Sequence, residues 1–408
     1  AEAVRDEART WLEENWDPER QLLEWRNLLV DSGWGTPSWP RDWHGRGLAP
    51  SMDRVVAEEF DAVGAVGVAS GVSMYLVAPT LLAHGTDELK TRLLRPILTG
   101  EHKWCQLFSE PGSGSDLAGL TTRAERDGDE WVVSGQKVWN SGAHAAAYGI
   151  LMARTNWDVP KHRGISYFAL PMQQPEIEVR PLRQMNGHAS FNEVFLNDAR
   201  VSHDNMIGAE GDGWRVATTT LMHERSGVGT RRPRFAIDGG PLVEQARQES
   251  EEYFRTYSWY PQRAGRSNLV RPEAERMQVT GDPLIRQDIA RLEAERKAYD
   301  WTNRRARDGR AAGKEPGPEG SLTKLFMSNG ARRCHGIHSS IQGAHGMLTG
   351  PDTAAGGMVA EVLVSTPAQS IAGGTDEVQH NIIGERVLGL PKEPDDSRDV
   401  PYREVKRN

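Results

Sequence analysis

An acid on the apolar side of a helix is the first residue in this chain that asks for a chemical reason. In GWRVATTTLMHERSGVG, Ala217, Leu221, Glu224 and Val228 step by four, three and four, so Glu224 shares a stripe with apolar neighbours and not with the wet face. A carboxylate placed there is either a buried acid paired to a basic residue or a general base whose pKa burial has raised; spacing alone leaves both open. A second candidate is EPGSGSD, Glu110 to Asp116, a glycine-rich turn whose N–H groups and Ser113 and Ser115 hydroxyls can line a ligand. Alone that signal is weak. Leu117 stands where a dinucleotide fingerprint needs its third glycine, no Walker lysine follows, and a plain surface loop would look the same.

The elements that must position these residues change type along the chain. Residues 1 to about 103 read as helical: the small, apolar run from Ser51 to Gly85 extends over many turns, and TDELKTRLLRPILTG starts with an N-cap threonine and acids in its first turn. The stretch SGWGTPSWPRDWHGRGLAP, rich in Pro, Gly and Trp, reads as an ordered connection. From Trp104 the period shortens. TTRAERDGDEWVVSGQKVW alternates on both sides of Asp127-Gly128, a two-residue hairpin signal, and GISYFALPM, IEVRPL and FNEVFLNDARV follow as strands. Helical periodicity returns from Trp214 to about Gly389, broken at RRPRFAIDGGP and in a charged stretch near 261–283. The expected class is α+β, with domains at 1–103 (helical), 104–212 (β) and 213–408 (helical bundle).

Composition narrows the function. The 408 residues carry a net charge of -8 without a clustered Lys/Arg stripe, which argues against nucleic acid. Mean hydropathy is -0.60 and no apolar run reaches about 18 residues, so no membrane span is expected. The N-terminal AEAVRDEARTWLEENW reads as a charged amphipathic helix without a signal-peptide core, which gives a cytoplasmic location as the expectation. Cys105 and Cys334 are the two cysteines, outside any metal-ligand spacing, and are expected to be ordinary core residues with no metal site.

Taken whole, WCQLFSEPGSGSDLAGLTTRAERDGDEWVVSGQKVWNSGAHAAAYGILMART resembles the acyl-CoA dehydrogenase family, as do LAHGTDELKTRLLRPILTGEHKWCQLFSEPG before it and IAGGTDEVQHNIIGERVLGLP near the end. The likeness covers almost the entire chain. It implies an N-terminal helical domain, a middle β domain and a C-terminal four-helix bundle, with FAD, an acyl-CoA substrate, an electron-transferring flavoprotein as acceptor and a homo- or heterotetramer. Carried over by position, the flavin contacts fall on Gln106, Phe108, Ser109 and Ser115, and on Trp139 and Ser141 of KVWNSG. A tryptophan at a strand end is commonly a core residue, but an aromatic can also cover an isoalloxazine face, and the motif decides for the latter. Thr375 and Glu377 match positions that hold the phosphate or adenosine portion, and Gln342, Gly346, Arg276 and Gln287 match residues that reach a neighbouring subunit's FAD. Here the sequence departs from the family, because RMQVT places Val279 where a phenylalanine belongs.

The resemblance also implies α,β-dehydrogenation to a trans-2-enoyl-CoA: a base takes the α-proton while the β-hydrogen leaves as hydride to the flavin N5. Many members keep the base at the position of Gly373, which cannot act as one. A second subset keeps it on an earlier helix, at the position of Glu224, and the glycine then leaves room for a bulky acyl group while its N–H polarises the thioester oxygen. Arg225 and Ser115 match substrate contacts, Arg225 near the CoA phosphates. Two rivals remain: a catalytically weak subunit of a hetero-oligomer, which RMQVT favours, and an oxygen-using relative of the monooxygenase or nitroalkane oxidase kind.

Overall fold

The computed structural model describes residues 1–224, 233, 235, 239–311, 317, 319–394 and 397–405. The chain forms two compact units, one of residues 1–182, 189–256 and 396–408, the other of 183–188 and 257–395.

The first unit begins with five helices, α1 (Glu2–Asn15), α2 (Leu22–Ser32), α3 (Met52–Val63), α4 (Ala78–His84) and α5 (Asp87–Thr99). The Thr86 hydroxyl accepts from the Leu89 N–H at 3.2 Å, and Asp87 and Glu88 fill the first turn of α5, as the sequence predicts. The long apolar run is not one helix. It stops at Gly64 and resumes only with a wide turn at Ser73–Val77 that leads into α4. Gly64, Gly67 and Gly71 lie inside that gap, and their backbone entropy opposes helix where apolar content alone favours it.

A seven-stranded sheet follows, β1 (Trp104–Leu107), β2 (Arg123–Asp127), β3 (Glu130–Ser141), β4 (Tyr148–Arg154), β5 (Ile165–Pro171), β6 (Ile177–Leu182) and β7 (Phe191–Ser202), in the order β1-β4-β2-β3-β7-β6 with β5 on β4. The hairpin is shifted by one residue from expectation. Asp127 pairs with Glu130, so the loop is Gly128-Asp129, and Gly128 takes the left-handed φ of 62° that the first loop position demands. β5 shows how the sheet joins two cores: Ile165, Tyr167 and Ala169 pack with α4 and α5, while Phe168 and Leu170 join Leu107, Trp131 and Val194 on the other side. Both faces are covered, which is why this strand is mostly apolar, with the hydroxyls of Ser166 and Tyr167 hydrogen-bonded. Two further helices, α6 (Gly213–Glu224) and α7 (Pro241–Arg255), complete the unit. Val216 and Ala217 of α6 enter the same core as Tyr167.

The second unit is helical, with α8 (Tyr260–Arg263), α9 (Ser267–Arg276), α10 (Pro283–Ala311), α11 (Glu319–Gln342), α12 (Met358–Ser365), α13 (Pro367–Ile371) and α14 (Asp376–Arg386). The charged stretch read as a break contains α9. Its Val270 and Ala274 are buried and Met277 packs beside them, a stripe that the charges mask in composition. Ile285 and Leu292 of α10 and Cys334, Ile337 and Ile341 of α11 close that core. The observed order is therefore α+β: a helical N-terminal part, a middle β part and a helical C-terminal part. Cys105 and Cys334 are both buried free thiols, and burial raises them to about 12 and about 11. Among the described residues, no helix is long and apolar enough to cross a membrane, and no cluster of His, Cys, Asp or Glu could hold a metal ion.

Candidate active site

The end of β3 carries a bulky residue in a left-handed backbone conformation. Val138 pairs with Glu193 of β7 and Asn140 with Asn192, leaving Trp139 as the extra residue of a bulge. Its φ is 66°, a conformation that costs a bulky residue energy, and the residue is 56% exposed, its ring making an edge-on contact to Phe191 at 5.9 Å. The reading of Trp139 as core tryptophan is thereby excluded. On either side the chain is held firmly. Asn140 is buried and its Nδ2 donates to the Gln106 carbonyl at 2.6 Å, while the Val138 N–H donates to the Ser109 carbonyl at 2.9 Å. Ser109 and Ser141 are half-buried, and Phe108 is buried edge-on to Tyr167 at 5.7 Å.

Beneath this surface lies an ion pair that the sequence reading did not select. Lys137 is fully buried, donating to Glu110 Oε1 at 2.9 Å and to the Phe108 carbonyl at 3.0 Å. Glu110 also accepts from the N–H groups of Thr121 at 2.7 Å and Thr122 at 2.9 Å, and from the Thr121 hydroxyl at 2.8 Å. Burial alone would raise the Glu110 carboxyl, but the Lys137 charge and these donors win and hold it down at about 2. The signal was available: Trp131, Val133 and Lys137 share strand parity, so a lysine stands at an inward position. The glycine-rich turn behaves differently from expectation in one respect. Ser113 is buried and its hydroxyl donates to the Asp116 carbonyl, so it is spent internally, whereas Ser115 is exposed.

Glu224 ends α6 and is half-buried, above buried Ala217 and partly buried Leu221; Val228 and Arg225 lie outside the described residues. Gln106 of β1 donates from Nε2 to Glu224 Oε2 at 3.3 Å. One turn earlier, Thr220 bonds the Tyr167 hydroxyl and the Thr80 hydroxyl, each at 2.9 Å, and Thr80 donates on to the Leu76 carbonyl at 2.7 Å. Burial pushes the Tyr167 phenol up; the Thr220 bond opposes this in part and the Glu224 charge adds to it. The first unit thus brings Gln106, Phe108, Ser109, Trp139, Ser141 and Glu224 onto connected elements. These residues fit a flavin: an exposed aromatic face, two half-buried hydroxyls, and the buried Asn140 Oδ1, which has no hydrogen-bond partner. A groove of about 480 Å³ lined by Ala143, His144, Met172, Gln174 and Ile177, among others, contains none of the predicted residues.

In the second unit, Gly373 is exposed with φ 70°, and a Cβ there would meet nothing within 4 Å. Thr375 caps α14, its hydroxyl accepting from the Val378 N–H at 3.3 Å. Asp376 is buried against Arg332 at 3.0 Å and Lys324 at 3.6 Å, and Lys324 also donates to the Gln369 carbonyl at 2.6 Å, so α11 clamps the turn. Glu377 is exposed, its carboxyl lowered by its own N–H and the Thr375 hydroxyl at the helix start. Arg276 pairs with Glu273 at 2.5 Å, and Gln342, itself buried, donates to the same carboxylate. Glu273 was not selected from the sequence, yet it joins two residues that were. Gln287 is exposed on α10, Gly346 lies in a short turn against Val359, and Val279 packs on the α9–α11 core.

The profiles described as the acyl-CoA dehydrogenase N-terminal, middle and C-terminal domains match residues 1–101, 105–199 and 269–388. The chain is 38% identical over 378 residues to acyl-CoA dehydrogenase IpdE1 of Mycobacterium tuberculosis, covering 90% of this chain and 88% of that protein. Among solved structures it resembles the ChsE4-ChsE5 complex from Mycobacterium tuberculosis, with TM-score 0.64, 28% identity and coverage of 96% of this chain and 98% of that one. It also resembles the Tcur3481-Tcur3483 steroid ACAD, with TM-score 0.65, 26% identity, and coverage of 96% and 98%.

Proposed function

This chain belongs to the acyl-CoA dehydrogenase family and is an oxidoreductase acting on acyl-CoA, and from that premise we propose that it forms a trans-2-enoyl-CoA with Glu224 as the base. The observation that carries the reading is the half-buried Glu224 carboxylate at the end of α6, bonded by Gln106 beside the Trp139 surface. The family is generally FAD-dependent, and bound FAD supplies the acceptor for the hydride that leaves the β-carbon. Trp139 covers the ring system, while Ser109, Ser141 and the Asn140 amide meet its polar edge. Phe108 and Gln106 complete that contact, Ser115 meets cofactor and substrate, and Arg225 meets the CoA phosphates. Thr375 and Glu377 hold the phosphate and adenosine end, and Arg276, Gln287, Gln342 and Gly346 serve a neighbouring subunit's cofactor.

Glu224 takes the α-proton, for which its position at the end of an apolar stripe suits it. The Gly373 N–H donates to the thioester oxygen and stabilises the charge that develops there. Space at Gly373 favours a bulky acyl group, in keeping with the steroid ACAD among the solved relatives. An electron-transferring flavoprotein takes the electrons onward. A tetramer with an unlike chain is the preferred assembly, in keeping with the two-component complex among the solved relatives. The monooxygenase alternative is disfavoured, since it has no need of a base at Glu224. An anaerobic absorbance titration with short, branched, long and steroid-derived acyl-CoA thioesters tests this: loss of the oxidised flavin band with one of them supports the reading and gives the substrate class. A flavin that ignores every thioester, alone and with a co-expressed partner chain, would overturn it.

A further inference from the structure

The contact between Gln106 and Glu224 joins residues 118 positions apart, and both ends are fixed. On the strand side, Cys105 and Leu107 are fully buried, and the Gln106 carbonyl is bonded by Asn140 at 2.6 Å. On the helix side, the buried chain Tyr167, Thr220, Thr80 ties α6 to β5 and α4 one turn before Glu224. Neither backbone can shift to bring the pair together or apart without breaking buried hydrogen bonds.

We propose that Gln106 is the positioning residue of the base, its amide orienting the Glu224 carboxylate through Oε2. This rests on the reading of Glu224 given above. A neutral amide orients a carboxylate without itself adding a full positive charge beside it. The hydrogen bond favours the ionised form, so its loss makes the base protonate at higher pH. Among the described residues, the titratable groups on the elements packed against α6 are Tyr167 of β5, His84 of α4 and Tyr75 of the wide turn before it, with Arg215 and His223 on α6 itself. His84 is engaged by Thr219 at 2.7 Å and Arg215 at 3.3 Å, nearer the start of the helix. Tyr167 responds to the Glu224 charge, but its phenol is pushed further from titration by burial and stays neutral through the working range.

The test is the pH profile of anaerobic flavin reduction by the thioester that bleaches the holoenzyme fastest, for wild type, Gln106→Met and Gln106→Glu, each saturated with FAD. The acid limb is expected to rise by about one pH unit in Gln106→Met and further in Gln106→Glu, where a second carboxylate faces the first. Gln106→Glu preserves size and polarity and decides the matter if Gln106→Met does not fold. Slower reduction with an unmoved acid limb, or weakened flavin binding as the sole effect, would assign Gln106 to the cofactor and overturn the proposal. Glu224→Gln is measured alongside. Reduction of that variant at the wild-type rate would remove Glu224 as the base and the parent reading with it, whereas an inactive Glu224→Gln with unmoved limbs in the Gln106 variants would sink the positioning role alone.

Discussion

At the end of β3 an exposed tryptophan in a costly conformation stands on buried amide and lysine groups of its own strand and a carboxylate from a second segment, whereas at the start of α14 a glycine turn is held by charged side chains of one helix. Both places carry family motifs. In the first, the partners are dry and almost fully enclosed, Lys137 being 0% exposed; in the second, Arg332 is half-exposed and Gly373 open. Strain such as that at Trp139 persists only where its surroundings over-determine it, so the β3 end is a preorganised surface. The α14 turn instead gains its freedom from glycine and is restrained by contacts that salt and solvent weaken.

The largest difference should appear in catalysis. Glu224→Gln is expected to retain FAD and slow flavin reduction by thioester about a thousandfold, within the range for loss of a positioned base. Stopped-flow reduction measures it, and a rate near wild type would move the base elsewhere. Next in size is Lys137→Met, which leaves Glu110 buried without its cation and should destabilise the protein by about 3–5 kcal/mol at neutral pH in denaturant unfolding. The pH dependence carries its own sign. Glu110 is held at about 2, below the value of 4.5 for a free glutamate, so its contribution of about 3 kcal/mol is present above pH 4.5 and fades as pH falls through the folded value. Wild type should therefore lose stability between pH 4.5 and 2 more steeply than Lys137→Met. Parallel acid curves would show that the lysine does not hold the carboxylate.

Third comes Trp139→Gly, a change that separates strain from function. Glycine adopts the left-handed conformation freely, so the flavin-free protein should be as stable as wild type or about 1 kcal/mol more stable, while FAD binds about tenfold more weakly for want of the aromatic face. Lower stability with unchanged FAD affinity would make Trp139 a structural residue after all.

These regions also differ in how far sequence alone reached them. The motif KVWNSG singled out Trp139 and Ser141, and the bulge that presents Trp139 lies within those few residues, whereas the capping of α14 by Thr375 was not part of the sequence reading. The stripe from Ala217 predicted an inward Glu224, and the structure finds it half-buried. What spacing could not supply is the partner: Gln106 meets Glu224 across 118 residues, and Glu273 meets Gln342 across 69. The hairpin slipped by one residue because Asp-Gly and Gly-Asp both satisfy a two-residue turn, and only pairing across the strands chooses between them. The gap at Gly64 to Gly71 was missed for the opposite reason, since apolar content was weighed above the backbone freedom of three glycines.

The smallest expected effect tests the open side of the comparison. Gly373 sits at φ 70° with room for a side chain, so Gly373→Ala meets strain without a clash and should cost about 1 kcal/mol of local backbone energy. Because the N–H is retained, its aim at the thioester oxygen shifts only as far as the backbone relaxes. The rate of flavin reduction should then fall by about fivefold, far less than the hundredfold or more that follows outright loss of an oxyanion donor. FAD affinity should not change, since the side chain adds nothing to the β3 surface. Reduction by wild type and variant across the thioester panel measures both. A loss confined to the bulkiest substrates would mean that the glycine serves space and not polarisation, and a hundredfold loss with every substrate would mean that the turn is as finely fixed as the end of β3.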